Sequence, residues 1–338
     1  MMAKVAFFST QPYDRKFFEN STDKHEIEFF ETRLNRKTVN LVQGFDAVCV
    51  FVNDHIEEEV LRNLKEQGVG LVALRCAGFN NVDLNAANKH NVRVMRVPAY
   101  SPEAVAEHAL ALIMTLARKT HKAYNRVRDG NFSLVKLNGF MIHGKTVGLI
   151  GTGKIGQAFA RIMLGMGAKV VAYDKYPADN MKQMGVEYME LDDVFKNSDI
   201  LSLHCPLTPE THHIINAKTL QKMKKGSMLV NTSRGKLVDT ASVIEALKTE
   251  QLGLLAIDVY EEEEKLFFRD LSEKIIRDDQ ISRLMNFHNV LVTAHQGFFT
   301  QESMQQITDT TLQNIDDFEQ NKPETPNDVS CKLMKDCK

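Results

Sequence analysis

The residues around Gly151 constrain the fold of this chain more than any other segment, because an apolar run leads directly into three spaced glycines. Thr146–Ile150 predicts a buried parallel strand, and a helix is predicted to begin near Lys154. Gly151 would permit the tight turn, Gly153 the close approach of backbone to a pyrophosphate, and Gly156 the close packing of helix against strand. The segment therefore predicts a dinucleotide-binding unit whose helix N-terminus faces phosphates.

An acid follows this unit at an informative distance. A second apolar strand, Lys169–Tyr173, ends next to Asp174, which lies 18 residues beyond Gly156. This is close to the spacing at which an acid meets the adenosine ribose hydroxyls, although a solvated aspartate at a strand end is the other reading. An acid here repels a 2′-phosphate, so NAD is favoured over NADP, a preference that the neighbouring Lys175 softens without removing.

Length, charge and cysteine content narrow the function classes. The 338 residues suffice for two domains, and the formal charge of −2 without a long basic run argues against a nucleic-acid partner. No segment is expected to span a membrane. The odd number of cysteines, at no metal-binding spacing, argues against a disulfide framework or a metal site and suits the cytoplasm. These cysteines are Cys49, Cys76, Cys205, Cys331 and Cys337.

Strand and helix patterns alternate along the chain, which predicts an α/β fold with two Rossmann-like, doubly wound parallel-sheet domains. About 100 residues of this pattern precede the glycine segment, so the cofactor domain is expected to be inserted into a substrate domain. We expect the cofactor domain at residues 101–296 and the substrate domain at residues 1–100 plus 297–338, with a ligand cleft beneath the two chain crossings. The predicted strands are Lys4–Phe8, Ile27–Phe30, Ala47–Val52, Gly70–Leu74, Arg93–Arg96, Thr146–Ile150, Lys169–Tyr173, Ile200–Leu203, Met228–Asn231, Gly253–Val259 and Val290–Val292.

The helix predictions include one long helix without a break, from Glu103 to Arg128. Ser101 is its expected N-cap and Pro102 its first residue. The residues from Pro323 to Lys338 are expected to be loosely ordered. The other predicted helices are Tyr13–Asn20, Ile56–Glu66, Leu84–Lys89, one beginning at Lys154, and residues 301–320.

Charged side chains follow three predicted strands of the cofactor domain. Arg234 follows the strand that ends at Asn231, the run Glu261–Glu264 follows the next strand, and His295 follows the last. Ligands bind beyond the carboxyl ends of such strands, so an arginine, an acid and a histidine there predict proton transfer beside an anion clamp. Each also has a structural reading: a surface arginine, a solvated acidic face for three of the four glutamates, and a core histidine.

Longer motifs carry a family resemblance that covers the chain from about residue 4 to 328. The motifs are Arg75–Asp83, Val97–His108, Asn231–Gly235 and Asp258–Glu261. They resemble the D-specific 2-hydroxyacid dehydrogenases, closest to the fermentative D-lactate dehydrogenase branch. The resemblance implies NADH-dependent, reversible reduction of pyruvate to D-lactate, and a homodimer or homotetramer.

The resemblance also implies a role for each motif residue. By position, the catalytic residues are Arg234, Glu263 and His295; Glu263 is selected because the family's acid falls five residues after the aspartate at position 258. Thr211 stands where some relatives carry asparagine, which leaves one cofactor contact open. The implied cofactor residues are Gly151, Gly153, Lys154, Ile155 and Gly156 at the pyrophosphate, Asp174 at the ribose, Cys205 and Pro206 on the adenosine side, and Thr232, Ser233 and Asp258 near the nicotinamide.

The implied mechanism follows from charge. Arg234 would clamp the substrate carboxylate and polarise the carbonyl group, while His295 donates the proton. Glu263 would orient the imidazole and favour its protonated form. The backbone amides of Ala77 and Gly78 would hold the carboxylate, and Phe51, Tyr100 and Phe298 would crowd the substrate side chain to the size of a methyl group. Core positions are the alternative reading for Phe51 and Phe298.

Two other functions remain open. A hydroxypyruvate or glyoxylate reductase of the same family would use the same residues. The fold also serves as an NAD-sensing corepressor that binds peptides, and such relatives can retain the catalytic trio. A phosphoglycerate dehydrogenase usually carries a further domain, for which this chain has no room, and formate dehydrogenases use a Gln–His pair where this chain has Glu263.

Overall fold

The computed structural model describes residues 2–21 and 24–329. The chain divides into two compact units: unit 1 contains the residues up to Ser101 and those from Thr300 onward, and unit 2 contains Pro102–Phe299. Unit 2 is thus inserted into the sequence of unit 1, which confirms the predicted insertion. Cys331, Cys337 and residues 330–338 of the tail predicted to be loosely ordered lie outside the described residues.

Both units alternate short strands with helices. In unit 1 the chain forms β1 Lys4–Phe7, α1 Pro12–Ser21, β2 Glu26–Phe29, a 3-10 turn Val39–Val42, β3 Ala47–Val50, α2 Glu58–Glu66, β4 Leu71–Leu74, α3 Leu84–Lys89 and β5 Arg93–Arg96. Unit 2 contains α4 Pro102–Arg118, α5 Thr120–Arg128, β6 Thr146–Ile150, α6 Lys154–Gly165, β7 Lys169–Tyr173, α7 Asp179–Gln183, β8 Glu187–Tyr188, α8 Leu191–Asn197, β9 Ile200–Leu203, α9 Ala217–Lys222, β10 Ser227–Asn231, a 3-10 turn Gly235–Leu237, α10 Thr240–Lys248, β11 Leu252–Ile257, a 3-10 turn Glu263–Lys265, α11 Asp279–Asn286 and β12 Val290–Val292. The chain returns to unit 1 with α12 Gln301–Glu319.

The sheet of unit 1 is parallel, in the order β2-β1-β3-β4-β5. Its central strand β3 is buried on both faces, which explains its continuous apolar sequence. Because successive side chains point to opposite faces, Val48 and Val50 join one core cluster, whereas Ala47 and Cys49 join the other. Ligands of sheets with this strand order bind where β1 and β3 diverge, at the carboxyl ends of the strands.

The sheet of unit 2 is also parallel, in the order β12-β11-β10-β9-β6-β7-β8. Counted from β6, the first six strands have the 3-2-1-4-5-6 order of a dinucleotide-binding sheet. The order reverses between β6 and β9, so the loops after these two strands flank the expected cofactor crevice. The predicted α/β fold class with two Rossmann-like domains is therefore confirmed.

The predicted long helix from Glu103 to Arg128 is wrong. Lys119 has a φ of 54°, in the left-handed region, and separates α4 from α5. The cause lies outside the helix: the carbonyl oxygen of Ala117 accepts a hydrogen bond from the N–H of Phe140. A helix continuing past Arg118 would need that carbonyl for its own ladder.

Smaller differences concern strand ends and cysteines. Strand β11 ends at Ile257, so Asp258 lies just beyond the strand, whereas the prediction placed it inside. The cysteines of the described residues, Cys49, Cys76 and Cys205, are buried and form no disulfide with one another. In the described part of the chain, no helix combines the length and the apolar character that crossing a membrane requires.

Candidate active site

The turn between β6 and α6 can be built only with glycine at two positions. Gly151 has a φ of 98°, and a Cβ there would lie 2.5 Å from the backbone nitrogen of Cys205. A Cβ at Gly156 would lie 2.3 Å from the carbonyl oxygen of Gly151. The first glycine therefore lets β6 approach the end of β9, and the last lets α6 pack on the turn, as the spacing predicted.

Gly153 differs from these two glycines, because no atom of the described residues lies within 4 Å of the position of its missing Cβ. It is the N-cap residue of α6 and provides no side-chain cap, so the first N–H groups of the helix, including those of Lys154 and Ile155, have no intrahelical acceptor. The open space and the positive end of the helix dipole make this turn suitable for a pyrophosphate.

Asp174 lies where β7 ends and is tied to the glycine turn. Its Oδ2 accepts hydrogen bonds from the N–H (2.6 Å) and the hydroxyl (3.0 Å) of Thr152, and its Oδ1 accepts from the N–H of Tyr176 at 2.8 Å. The carboxylate is half-buried and keeps lone pairs that two ribose hydroxyls can use. The sequence missed the Thr152 contact, through which Asp174 also fixes the turn.

Thr232 provides a further test of whether NAD fits. Its side-chain oxygen is buried and has no hydrogen-bond partner among the described residues. A buried hydroxyl normally has a partner, and the carboxamide of a nicotinamide can supply one at this strand end. With the open turn at Gly153 and the half-buried Asp174, this orphaned hydroxyl fits a dinucleotide along the carboxyl edge of the sheet.

The residues predicted to contact the adenosine side of the cofactor, Cys205 and Pro206, lie in the loop after β9. Cys205 is buried, which raises the pKa of its thiol to about 11, and its carbonyl oxygen accepts from the hydroxyl of Ser233 at 2.7 Å. Pro206 accepts from the hydroxyl of Thr211 at 2.7 Å. Thr211 thus closes the 206–211 turn, a role for which its hydroxyl suffices.

The loop after β10 holds Arg234 in a fixed backbone conformation. Buried Asn231 bonds the loop twice: its Nδ2 donates to the carbonyl of Arg234 at 2.8 Å, and its Oδ1 accepts from the N–H of Ser233 at 3.0 Å. A Cβ at Gly235 would lie 2.1 Å from the carbonyl oxygen of Tyr260, so this loop packs against the backbone after β11. The half-buried guanidinium of Arg234 donates to the carbonyl of Ser233 at 2.7 Å.

Asp258 organises the turn that carries His295. Its carboxylate accepts from the N–H of Gln296 at 2.9 Å, the N–H of Gly297 at 2.8 Å and the ring of His108 at 3.2 Å. Burial acts to raise the pKa of Asp258, but the hydrogen bonds from His108 and Thr293 outweigh it and hold the pKa below its ordinary value. Sequence reasoning predicted a cofactor role for Asp258 and missed this structural one.

Glu263 and His295 form the central pair of the site. Oε1 of Glu263 lies 2.8 Å from Nδ1 of His295, and its Oε2 accepts from the N–H of Tyr260 at 2.8 Å. A carboxylate only accepts, so Nδ1 carries the proton in this contact, which leaves Nε2 to exchange a proton with a substrate. Both side chains are about one-fifth exposed, and the ring of Phe298 stands edge-on to the imidazole at 6.5 Å.

The other glutamates of the run differ from the prediction that three face solvent. Glu262 and Glu264 are exposed, but Glu261 is not. Its Oε1 lies 2.6 Å from the ring of His213, and its Oε2 accepts from the hydroxyl of Thr240 at 2.9 Å. The solvated reading of Glu261 is therefore wrong, because the loop folds back over the start of α10.

Four of the predicted substrate residues lie in unit 1: Phe51, Ala77, Gly78 and Tyr100. Ala77 and Gly78 are half-buried in the loop between β4 and α3, and neither of their N–H groups has an acceptor among the described residues. Phe51 packs on the core and lies 4.9 Å from the guanidinium of Arg75. Tyr100 is half-buried. The structure gives Phe51 the core contacts of its alternative reading.

Comparison with known proteins agrees with this geometry. Residues 110–297 match the model of the D-isomer specific 2-hydroxyacid dehydrogenase, NAD binding domain. D-Lactate dehydrogenase of Escherichia coli (strain K12) is 51% identical over 329 residues, which cover 96% of this chain and 99% of that protein. The chain belongs to the D-isomer specific 2-hydroxyacid dehydrogenase family.

Solved structures of the family have the same fold. The pyruvate reductase of Chlamydomonas reinhardtii has a TM-score of 0.91 at 45% identity, covering 95% of this chain and 98% of that chain. D-Lactate dehydrogenase of Aquifex aeolicus, complexed with NAD and lactic acid, has a TM-score of 0.84 at 33% identity, covering 94% and 96%. The predicted family, NAD cofactor and enzyme class are confirmed: the chain is an NAD-dependent D-2-hydroxyacid dehydrogenase.

Proposed function

We propose that this dehydrogenase reduces pyruvate to D-lactate, with Arg234, Glu263 and His295 as its catalytic residues. The observation that carries the proposal is the 2.8 Å contact between Glu263 and Nδ1 of His295 at the carboxyl edge of the cofactor sheet. The names of two relatives support the substrate, since one is a D-lactate dehydrogenase and the other a pyruvate reductase.

The residues of the chain supply binding and proton transfer. NADH, when bound, supplies the hydride that forms the new C–H bond at the substrate carbonyl carbon. The carbonyl π electrons move to oxygen, and Nε2 of His295 gives its proton to that oxygen, so that an alcohol forms. Glu263 faces the imidazolium and stabilises its charge until the proton has left. In the oxidation direction, Nε2 of neutral His295 takes the hydroxyl proton.

Two groups are proposed to recognise the substrate carboxylate. Arg234, whose loop is fixed by Asn231, can give paired charge-assisted hydrogen bonds to the carboxylate and place positive charge near the carbonyl oxygen. In unit 1, the N–H groups of Ala77 and Gly78, which have no acceptor among the described residues, are of the kind that bind carboxylates. Along the cofactor, Gly153, Lys154 and Ile155 would hold the pyrophosphate, and Asp174 would hold the ribose. The family resemblance implies further cofactor contacts: Cys205 and Pro206 on the adenosine side, and Thr232, Ser233 and Asp258 near the nicotinamide.

The size of the substrate side chain is proposed to be limited by Phe298, Phe51 and Tyr100. Phe298 is the best supported, because the residue is 7% exposed and its ring stands edge-on to the imidazole of His295. Phe298→Ala should therefore raise kcat/KM for 2-oxo acids with longer side chains relative to pyruvate. An unchanged ratio would assign Phe298 to the core alone.

The first experiment is NADH oxidation by the purified chain with pyruvate, followed by chiral analysis of the product. Rapid turnover that yields D-lactate is expected. His295→Ala should lower kcat by about 10²- to 10⁴-fold, the usual contribution of a general acid, while NADH still binds. Unaltered turnover in this variant would disprove the role of His295.

The same assay separates the alternative functions. Faster turnover of glyoxylate or hydroxypyruvate than of pyruvate would assign the chain to a different reductase of the family. Negligible turnover of all three acids, together with capture of peptides by the NADH-bound chain, would favour an NAD-sensing corepressor. We favour pyruvate because two relatives are named a D-lactate dehydrogenase and a pyruvate reductase, and because the proposed aromatic residues around the substrate suit a methyl group.

The oligomeric state and location also belong to the proposal. We propose a homodimer or homotetramer whose contact includes the segment 124–141 of unit 2. This segment exposes apolar side chains that would otherwise face water. They are Tyr124, Val127, Phe132, Leu134, Val135 and Met141. Light scattering should show at least a dimer, and a monomer would contradict the proposal. A cytoplasmic location stays a prediction.

A further inference from the structure

Arg96 holds the loop that carries Ala77 and Gly78. It is the last residue of β5, and its Nη1 donates to the carbonyl oxygen of Ala77 at 2.7 Å. Its guanidinium also lies 5.1 Å from the ring centroid of Phe79. In the described part of the chain, no carboxylate pairs with this half-buried cation, and burial lowers the pKa of Arg96. Within the described residues, the hydrogen-bond acceptor of this guanidinium is the carbonyl of Ala77, so its charge is directed at the loop.

The backbone of Arg96 is fixed from both sides. Its N–H donates to the carbonyl of Asn327 at 2.9 Å, and its own carbonyl accepts from Nδ2 of Asn314 at 3.0 Å. Asn314 is fully buried in α12, and its Oδ1 accepts from Asn327 at 2.8 Å. The guanidinium therefore extends from a backbone position that β5, α12 and the segment after it determine together.

The contact acts on a particular peptide group. The carbonyl of Ala77 and the N–H of Gly78 belong to one planar trans peptide, so they point in opposite directions. A charged donor on the carbonyl oxygen polarises the group and strengthens the N–H as a donor. This N–H and that of Ala77 have no acceptor among the described residues. The thiol of Cys76 donates to the carbonyl of Gly78 at 3.2 Å and holds the next peptide.

We infer that Arg96 is a positioning residue for substrate recognition: through the Ala77 carbonyl it orients and polarises the Gly78 N–H that binds the carboxylate of a 2-oxo acid. The inference rests on the proposed function, in which Ala77 and Gly78 bind that carboxylate. It concerns the binding of substrate, so it predicts a change in the KM for the 2-oxo acid with little change in kcat.

The test compares Arg96→Met with Arg96→Lys. Arg96→Met should raise the KM for pyruvate about 10-fold, corresponding to the loss of one charge-assisted hydrogen bond, with kcat within about 3-fold and the KM for NADH unchanged. Arg96→Lys keeps a charged donor and should recover part of the affinity. The matched control is Arg93→Met on the same strand but on its other face, because Arg93 pairs with Asp328 at 2.6 Å and donates to the carbonyls of Lys322 and Pro323, not to the loop of Ala77 and Gly78. It should leave the KM unchanged even if stability falls.

The outcomes separate this inference from the proposed function. Each variant is assayed with pyruvate, glyoxylate and hydroxypyruvate, which share the carboxylate and the adjacent carbonyl. A wild-type chain inert toward all three overturns the proposed function and the inference with it. An active wild type with an unchanged KM in Arg96→Met overturns the inference alone. If Arg96→Met does not fold, the same decision is made on Arg96→Lys, whose KM for the 2-oxo acid must exceed that of the wild type.

Discussion

Replacing Glu263 by glutamine tests how the carboxylate acts on His295. The two oxygens of Glu263 accept from different donors, Nδ1 of His295 and the N–H of Tyr260, both at 2.8 Å. Glutamine has one acceptor oxygen, so one of these donors must face an NH₂ group. Either the Tyr260 N–H loses its acceptor, or His295 must present an unprotonated Nδ1, which excludes the imidazolium needed to donate a proton in the reduction.

The expected magnitude follows from these contacts. Both side chains are about four-fifths buried, so solvent screens the pair only partly. A hydrogen bond to a charged group contributes about 1.5 to 3 kcal/mol, which corresponds to about 10- to 150-fold in rate. Glu263→Gln should therefore lower kcat for pyruvate reduction by that factor, while the affinity for NADH, measured by fluorescence titration, stays unchanged.

The control is Glu262→Gln, the same substitution one residue earlier. The side chain of Glu262 is 52% exposed and pairs with Lys265 at 3.3 Å, a surface contact expected to change kcat by less than about 2-fold. Thermal unfolding of both variants shows whether the fold is intact. Wild-type kcat in Glu263→Gln, or an equal loss in both variants, would refute the assigned role of Glu263.

Three further predictions test the cofactor turn at Gly153, the side chain of Asp258 and the helix break at Lys119. Gly153→Ala should cost at most about 1 kcal/mol in thermal unfolding, because it changes the N-cap but its Cβ meets open space among the described residues. It should weaken NADH binding at least about 10-fold in a fluorescence titration, and unchanged affinity would contradict the pyrophosphate role. Asp258→Asn should cost about 1 to 3 kcal/mol in urea unfolding at neutral pH, because an amide NH₂ then faces the N–H of Gly297 or Gln296. Folding lowers the pKa of Asp258, so the ionised carboxylate stabilises the fold above the unfolded pKa of about 4, and this stabilisation is lost as the pH falls through the folded pKa. The unfolding free energies of the wild type and of Asp258→Asn should therefore converge in acid. A difference that stays constant with pH would contradict this reasoning. Lys119→Gly should stabilise the fold by about 0.5 to 1 kcal/mol because φ is 54° there, whereas Ala111→Gly on the exposed face of α4 should destabilise it by about 1 kcal/mol; a loss in both variants would contradict the left-handed conformation of Lys119.

Much of the fold could be predicted because the relevant signals are local. The buried parallel strands have continuous apolar sequences, and β6, β7, β9 and β12 have the bounds that these runs predicted. The turn at Gly151 was also predictable, since its glycines are required by contacts within one strand–turn–helix unit. The break at Lys119 was not predictable in this way, because it depends on Phe140, more than 20 residues away, and no helix-breaking residue marks it.

The candidate site likewise contains residues that could be predicted from the sequence and residues that could not. The sequence places Arg234, Glu263 and His295 after neighbouring strands, and parallel topology then places them along one edge. The residues that hold these groups were missed, although Asn231 and His108 belong to quoted motifs. The motifs do not show that the Asn231 side chain bonds its own loop, nor that His108 reaches Asp258, 150 residues away. Glu261 was misassigned because a run of four acids gives no indication of which carboxylate turns inward to His213.

His295 shows why such a site cannot be derived from local preferences alone. Its φ of 55° lies in the left-handed region, where a non-glycine residue costs about 1 to 2 kcal/mol. Asp258 offsets this cost, since its carbonyl accepts from the N–H of His295 at 2.7 Å and its carboxylate accepts from the next two N–H groups. Local energetics would favour glycine here, whereas the proposed mechanism requires an imidazole that contacts Glu263 and transfers a proton. His295 and the buried Asp258 that holds its turn therefore depend on each other, and a substitution at either position should affect both stability and catalysis.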